Sequence, residues 1–154
     1  MSESRVVVVG VDGSAESHAA VRHALRNAVL RGDEVRAIVA VPPPDVGVYD
    51  MMPPPALGER LAAARVAAHA VVTEAVAHAV EELGAEVEQV PVRCEVVLGT
   101  PAEALLEAAK DAIELVVGHR GRGAFRSALL GSVGLSCVLH AACPVTVVRP
   151  APVA

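Results

Sequence analysis

The chain predicts an α/β fold: an open, doubly wound parallel sheet of five strands with helices on both faces. Three observations carry this. Short β-branched runs alternate with longer, helically spaced segments from one end to the other. The runs are continuously apolar, as in strands buried on both faces. A helical segment or long connection separates each pair of strands, and right-handed crossovers of that kind place helices on both sides of a parallel sheet.

Taken in order, RVVVVGV at 5–11 is the first strand. It ends at Asp12-Gly13-Ser14, a turn whose serine is placed to cap a helix. Val21, Ala24, Leu25 and Ala28 then recur at i, i+3, i+4 and i+7, one apolar stripe on a helix that should stop near Arg31-Gly32. VRAIVAV at 35–41 is the second strand. The segment 42–55 holds six prolines in fourteen positions, which predicts a long loop, neither helix nor central strand. Beyond it, Ala68, Val72, Val76, Ala79, Val80 and Leu83 keep helical spacing up to Gly84. The third strand is VRCEVVLG, with a start as early as Val87.

Thr100-Pro101-Ala102-Glu103 is a helix start: Thr as N-cap, Pro at the first helical position and Glu three residues after the cap. That helix runs to about Asp111. IELVV at 113–117 is the fourth strand, SVGLSCVLHAA a short helix and PVTVV at 144–148 the fifth strand. No repeat or linker interrupts the pattern, so residues 1–154 are expected to form one domain.

Composition restricts what such a domain does. Hydrophobic residues make up 53% and aromatics 1%, so Val, Ala and Leu must fill the core. The apolar runs are far shorter than the roughly 20 residues of a membrane helix, and the expected setting is soluble and cytoplasmic. Cys94, Cys137 and Cys143 lack Cys-x-x-Cys spacing and lie among apolar residues, which suits core thiols in a reducing compartment. A net charge of −5 and the shortage of aromatics argue against nucleic acid as a partner.

In doubly wound sheets ligands bind beyond the carboxyl ends of the strands, where the winding reverses. Three places qualify: the turn after strand 1, the loop after strand 2, and GHRGRGAFRSALLGSVG at 118–134 after strand 4. Glycines at 118, 121, 123, 131 and 134 permit close backbone approach, so that N–H groups can converge on an anion. Gly131-Ser132 then opens a helix whose first N–H groups are unpaired and whose dipole favours negative charge. Ser132 is placed to cap that helix or to donate its hydroxyl to a phosphate. Arg120, Arg122 and Arg126 are candidates to steer phosphates. The sole lysine, Lys110, lies in the preceding helix, and the Walker pattern is absent. His119 has no carboxylate or serine placed as its partner and is a poor general base. Asp12 reads two ways, as a ligand for a ribose hydroxyl or a magnesium ion and as the Asx residue of its own turn.

These residues resemble the universal stress protein family along essentially the whole chain. Its nucleotide signature, G-2x-G-9x-G-S/T, is matched by Gly118, Gly121, Gly131 and Ser132; VVVVGVDGS, GTPAEALLEAA and HAACPVTVVRP resemble further blocks. The resemblance implies a Rossmann-like fold of the adenine nucleotide alpha hydrolase type and a regulatory site in the stress response for ATP, or ADP or AMP, with Mg. Under it, Val11 and Asp12 flank the nucleotide, with Asp12 near ribose or metal, and the Val41 backbone meets the adenine edge. Gly118, Arg120 and Gly121 line ribose and phosphates, while Gly131, Ser132 and Val133 receive the phosphate tail. Gly134 stands where many members have a second hydroxyl, and Ala40 where a His is common. The family commonly forms homodimers through the last strand, here 144–149. A nucleotide-binding module without catalysis, a slow ATPase and a dimeric scaffold that ignores nucleotide remain open from sequence.

Overall fold

The computed structural model describes residues 5–44, 46–121 and 130–151. Five strands, β1 (Val6–Gly10), β2 (Glu34–Val41), β3 (Val92–Leu98), β4 (Glu114–Gly118) and β5 (Val145–Val148), form one sheet in the order β3-β2-β1-β4-β5. All four pairings are parallel, so the predicted doubly wound sheet is correct, and its winding reverses between β1 and β4.

Side chains alternate across this sheet, and each face has its own core. On one face Val7, Val9, Val35, Ala37 and Val116 pack with helices α1 (Ala15–Arg31) and α3 (Pro54–Leu83). On the other, Val8, Ile38, Leu115 and Val117 pack with α4 (Pro101–Ala108) and α5 (Ser132–His140). Burial on both faces is why the strands read as unbroken apolar runs. Leu25, Ile38 and Leu115 are the bulkiest fully buried side chains, so the core is aliphatic as composition demands.

Local chemistry sets the ends of the elements. Ser14 caps α1, its hydroxyl oxygen accepting from Ser17 N–H at 3.1 Å, and Gly32 closes the helix at φ 72°. Thr100 caps α4 by accepting from Glu103 N–H at 3.3 Å, with Pro101 in the first turn.

Three expectations are corrected. The 42–55 segment contains a six-residue helix, α2 (Val46–Met51), and α3 already begins at Pro54. Prolines are incompatible with helix interiors but not with a first turn, where the missing N–H would be unpaired anyway. Val87 does not begin β3. It is buried in the core within successive turns, with Val87 N–H donating to Gly84 and Val90 N–H to Val87, before the strand starts at Val92. The N-cap of α5 is Gly131, and Ser132 is its first residue, without a capping bond.

At the amino ends of the strands, Glu114 on β4 is buried and accepts from Arg31 Nη1 at 2.7 Å and from Thr146 Oγ1 at 2.6 Å. It joins the end of α1 to the edge strand. Burial alone would raise its carboxyl, but Thr146 and Arg31 together hold it below its ordinary value of 4.5. A carboxylate stabilised in this way contributes above that value and loses its contribution as pH falls through the lowered one. Glu114→Ala is expected to lower stability by about 1–3 kcal/mol, seen as an earlier urea midpoint at unchanged slope, and to reduce the loss of stability below pH 4.5.

Candidate functional site

At the carboxyl ends of β1 and β4, where the winding reverses, the sheet opens into a cavity of about 750 Å³. Its walls are mostly apolar: Val11, Ile38 and Val117 from strand ends, Ala68 and Val71 from α3, Leu105 from α4. Polar groups enter from three segments.

The first is the turn after β1. Asp12 Oδ1 accepts from Ser14 N–H at 2.9 Å and from the Ser14 hydroxyl, and the Asp12 N–H donates to Ser17 Oγ at 3.3 Å. The Asx reading of Asp12 is therefore realised, and the same turn brings its carboxylate to the cavity. Ser17 is buried and also lines the space, a contributor not singled out from sequence because a serine in a first helical turn is unremarkable.

The second is the end of β2. Ile38 C=O accepts from Val11 N–H, toward β1, while Val41 C=O accepts from Gly99 N–H, toward β3. Peptide groups of successive strand residues point to opposite sides, so the peptide edge facing the cleft beyond β1 belongs to Ala40, which lines the cavity. Val41 instead borders a smaller cavity of about 330 Å³ with Pro42–Pro44 and Leu57. No sequence signal distinguishes Ala40 from Val41, because the distinction depends on which neighbour lies on which side.

The third is the glycine segment. Gly118, Arg120, Gly121, Gly131, Ser132, Val133 and Gly134 all reach the cavity; Arg122, Gly123 and Arg126 lie outside the described residues. Each signature glycine marks a close approach. A Cβ on Gly118 would sit 2.8 Å from the backbone of Glu16 in α1, one on Gly121 would strike the Asp12 carboxylate, and one on Gly131 would lie 3.4 Å from Arg120 Cα. Gly118 thus lets α1 approach closely while also lining the cavity.

Gly131 N–H is already spent on His119 C=O at 2.7 Å, so Gly131 is no donor to an anion. The first intrahelical bond of α5 runs from Leu135 N–H to Gly131 C=O. Ser132, Val133 and Gly134 therefore present N–H groups with no partner in the helix, beside the exposed Ser132 side chain. Arg120 stands at the same end, its Nε donating to His119 Nε2 at 3.1 Å.

A convergent N–H cluster, a guanidinium and an apolar chamber make a receptor for an anionic group attached to an uncharged body. The model of the family described as "Universal stress protein family" matches residues 3–149. The chain belongs to this family. Universal stress protein Rv2005c of Mycobacterium tuberculosis is 37% identical over 143 residues, 93% of this chain and 47% of the relative. The chain spans about half the length of the curated relatives it matches. Among solved structures, universal stress protein UspA from Lactobacillus plantarum superposes with a TM-score of 0.70 at 22% identity, covering 97% of this chain and 100% of that one. A universal stress protein in complex with cAMP does so at 0.65 and 28% identity, with the same coverage.

Among the described residues no cluster of three or more acidic, His or Cys side chains could hold a metal, and Asp12 is the carboxylate at the cavity. No described helix is long and apolar enough to cross a membrane.

Gly118→Val is expected to lower the stability of this universal stress protein in the absence of any ligand by about 1–3 kcal/mol. Chemical denaturation reads the effect, and an unchanged midpoint would mean that α1 yields to the added side chain.

Proposed function

We propose that this chain is a binding module for adenine nucleotides, ATP or a shorter relative, that regulates through nucleotide state and catalyses no reaction. The observation that carries the reading is the convergence of three N–H groups of α5 and Arg120 on one end of an apolar cavity at the winding reversal. In this reading the phosphates lie against Ser132, Val133 and Gly134, and the ribose lies near Asp12 and Gly121. Adenine enters the apolar part against Val11 and the peptide edge of Ala40, in place of Val41. Magnesium arrives with the phosphates, near Asp12. The cAMP complex of the relative supports a nucleotide of this class. His119 is a poor general base while its Nε2 accepts from Arg120.

Thermal unfolding with ATP, ADP, AMP and cyclic AMP, each with and without magnesium, tests the reading. A ligand bound only by the folded state stabilises it by about 2.7 kcal/mol at a hundredfold excess over Kd; no shift with any of the four overturns the proposal. Ser132→Pro sharpens the test. Gly131 at ψ 162° suits a following proline, and a first helical position tolerates one, so the variant deletes one N–H and one hydroxyl while keeping α5. Affinity for phosphorylated nucleotides should fall about tenfold or more with adenosine affinity unchanged.

The proposed assembly is a homodimer through β5, an edge strand of the sheet. Pro144 and Val148 direct their carbonyls to β4, so the peptides of Val145 and Val147 face outward and can pair with a second copy. Val147→Pro removes an outward donor and leaves the β4 ladder intact; sedimentation should then show monomers where the wild type is dimeric.

A further inference from the structure

His119 is buried, with 7% of its surface exposed, and its backbone is held on both sides: N–H to Val148 C=O at 2.9 Å, C=O from Gly131 N–H at 2.7 Å. The ring therefore has a fixed seat. Its Nε2 lies 3.1 Å from Arg120 Nε. A guanidinium only donates, so Nε2 carries the lone pair and the ring proton of a neutral imidazole sits on Nδ1. That Nδ1 is fully buried and has no hydrogen-bond partner among the described residues. An apolar side chain would fill the same space without stranding a polar atom, so packing alone gives no reason for an imidazole here.

We propose that His119 is a positioning residue: as the neutral Nδ1–H tautomer it holds the Arg120 guanidinium at the anion end of the cavity and makes anion binding dependent on pH. The proposal rests on the nucleotide reading and adds to it the control of the cationic group.

The ionised groups around the ring set the direction. Burial, Arg120 in the same segment and Arg149 after β5 all push the imidazole below its ordinary value of 6.5, while Glu16 on α1 opposes them. Protonation removes one acceptor of Arg120, the Nε2 lone pair, and places a second cation beside it. The neutral form is thus the binding-competent one. An imidazole harder to protonate folded than unfolded also makes the fold less stable as pH falls below about 6.5. Affinity and stability both decline toward acid.

Cyclic AMP is the suitable probe, because its phosphodiester stays a monoanion across this range. Calorimetric titration between about pH 5 and 8 compares the wild type with His119→Gln and His119→Leu. Glutamine returns an acceptor that does not titrate; leucine returns none. Wild-type affinity should fall about tenfold toward acid. His119→Gln should bind like the neutral wild type with a flat pH profile, and His119→Leu about tenfold more weakly at neutral pH, with adenosine unaffected. Leucine binding at wild-type strength, or glutamine retaining the wild-type pH profile, overturns the positioning role while the nucleotide reading stands. If the wild type binds no nucleotide at any pH, the nucleotide reading fails and this proposal with it. Long-range 15N–1H correlation spectra provide a readout without ligand: the Nδ1–H form is expected, and the reverse tautomer overturns the proposal.

Discussion

The structure depends on β1 being hydrogen-bonded on both sides, to β2 and to β4. Once the chain's first strand lies at the centre, the crossovers must wind away from it in opposite directions, and the loops after β1 and β4 leave the sheet toward opposite faces. The gap between them is the cavity. Its apolar walls are the ends of the strands and the helices that cover the two faces.

The glycines serve this arrangement by distance. Strand β4 reaches α1 at Gly118, the next segment folds onto Asp12 at Gly121, and the start of α5 returns onto Arg120 at Gly131. The start of α5 and the turn after β1 border the same cavity. Much of this end of the cavity is therefore backbone, which cannot be removed by exchanging one side chain. Arg120 is the described cationic exception, and burial, Arg120 and Arg149 together push its partner His119 below the ordinary imidazole value.

Within the molecule, legibility followed the range of the interaction. Ser14 and Thr100 could be read as caps because a cap involves residues three positions apart. Gly32 could be read as a stop for the same reason. The helical residues between and after the prolines were missed because proline abundance excludes helix interiors but leaves first turns open. Val87 was misread as strand because a buried apolar residue satisfies the core equally well from a turn.

By itself the sequence determined the order of the strands and of the helices that cover the sheet, the two-sided burial of the strands and the segment that matches the family signature, since these are written in periodicity, capping residues and local spacing. Tertiary structure alone decided that Ala40 lines the main cavity and Val41 the smaller one, that Gly131 spends its N–H on His119, and that Gly118 lies against α1. Each depends on which distant element becomes the neighbour. A strand's peptide groups or a missing Cβ acquire their meaning only when that neighbour is in place.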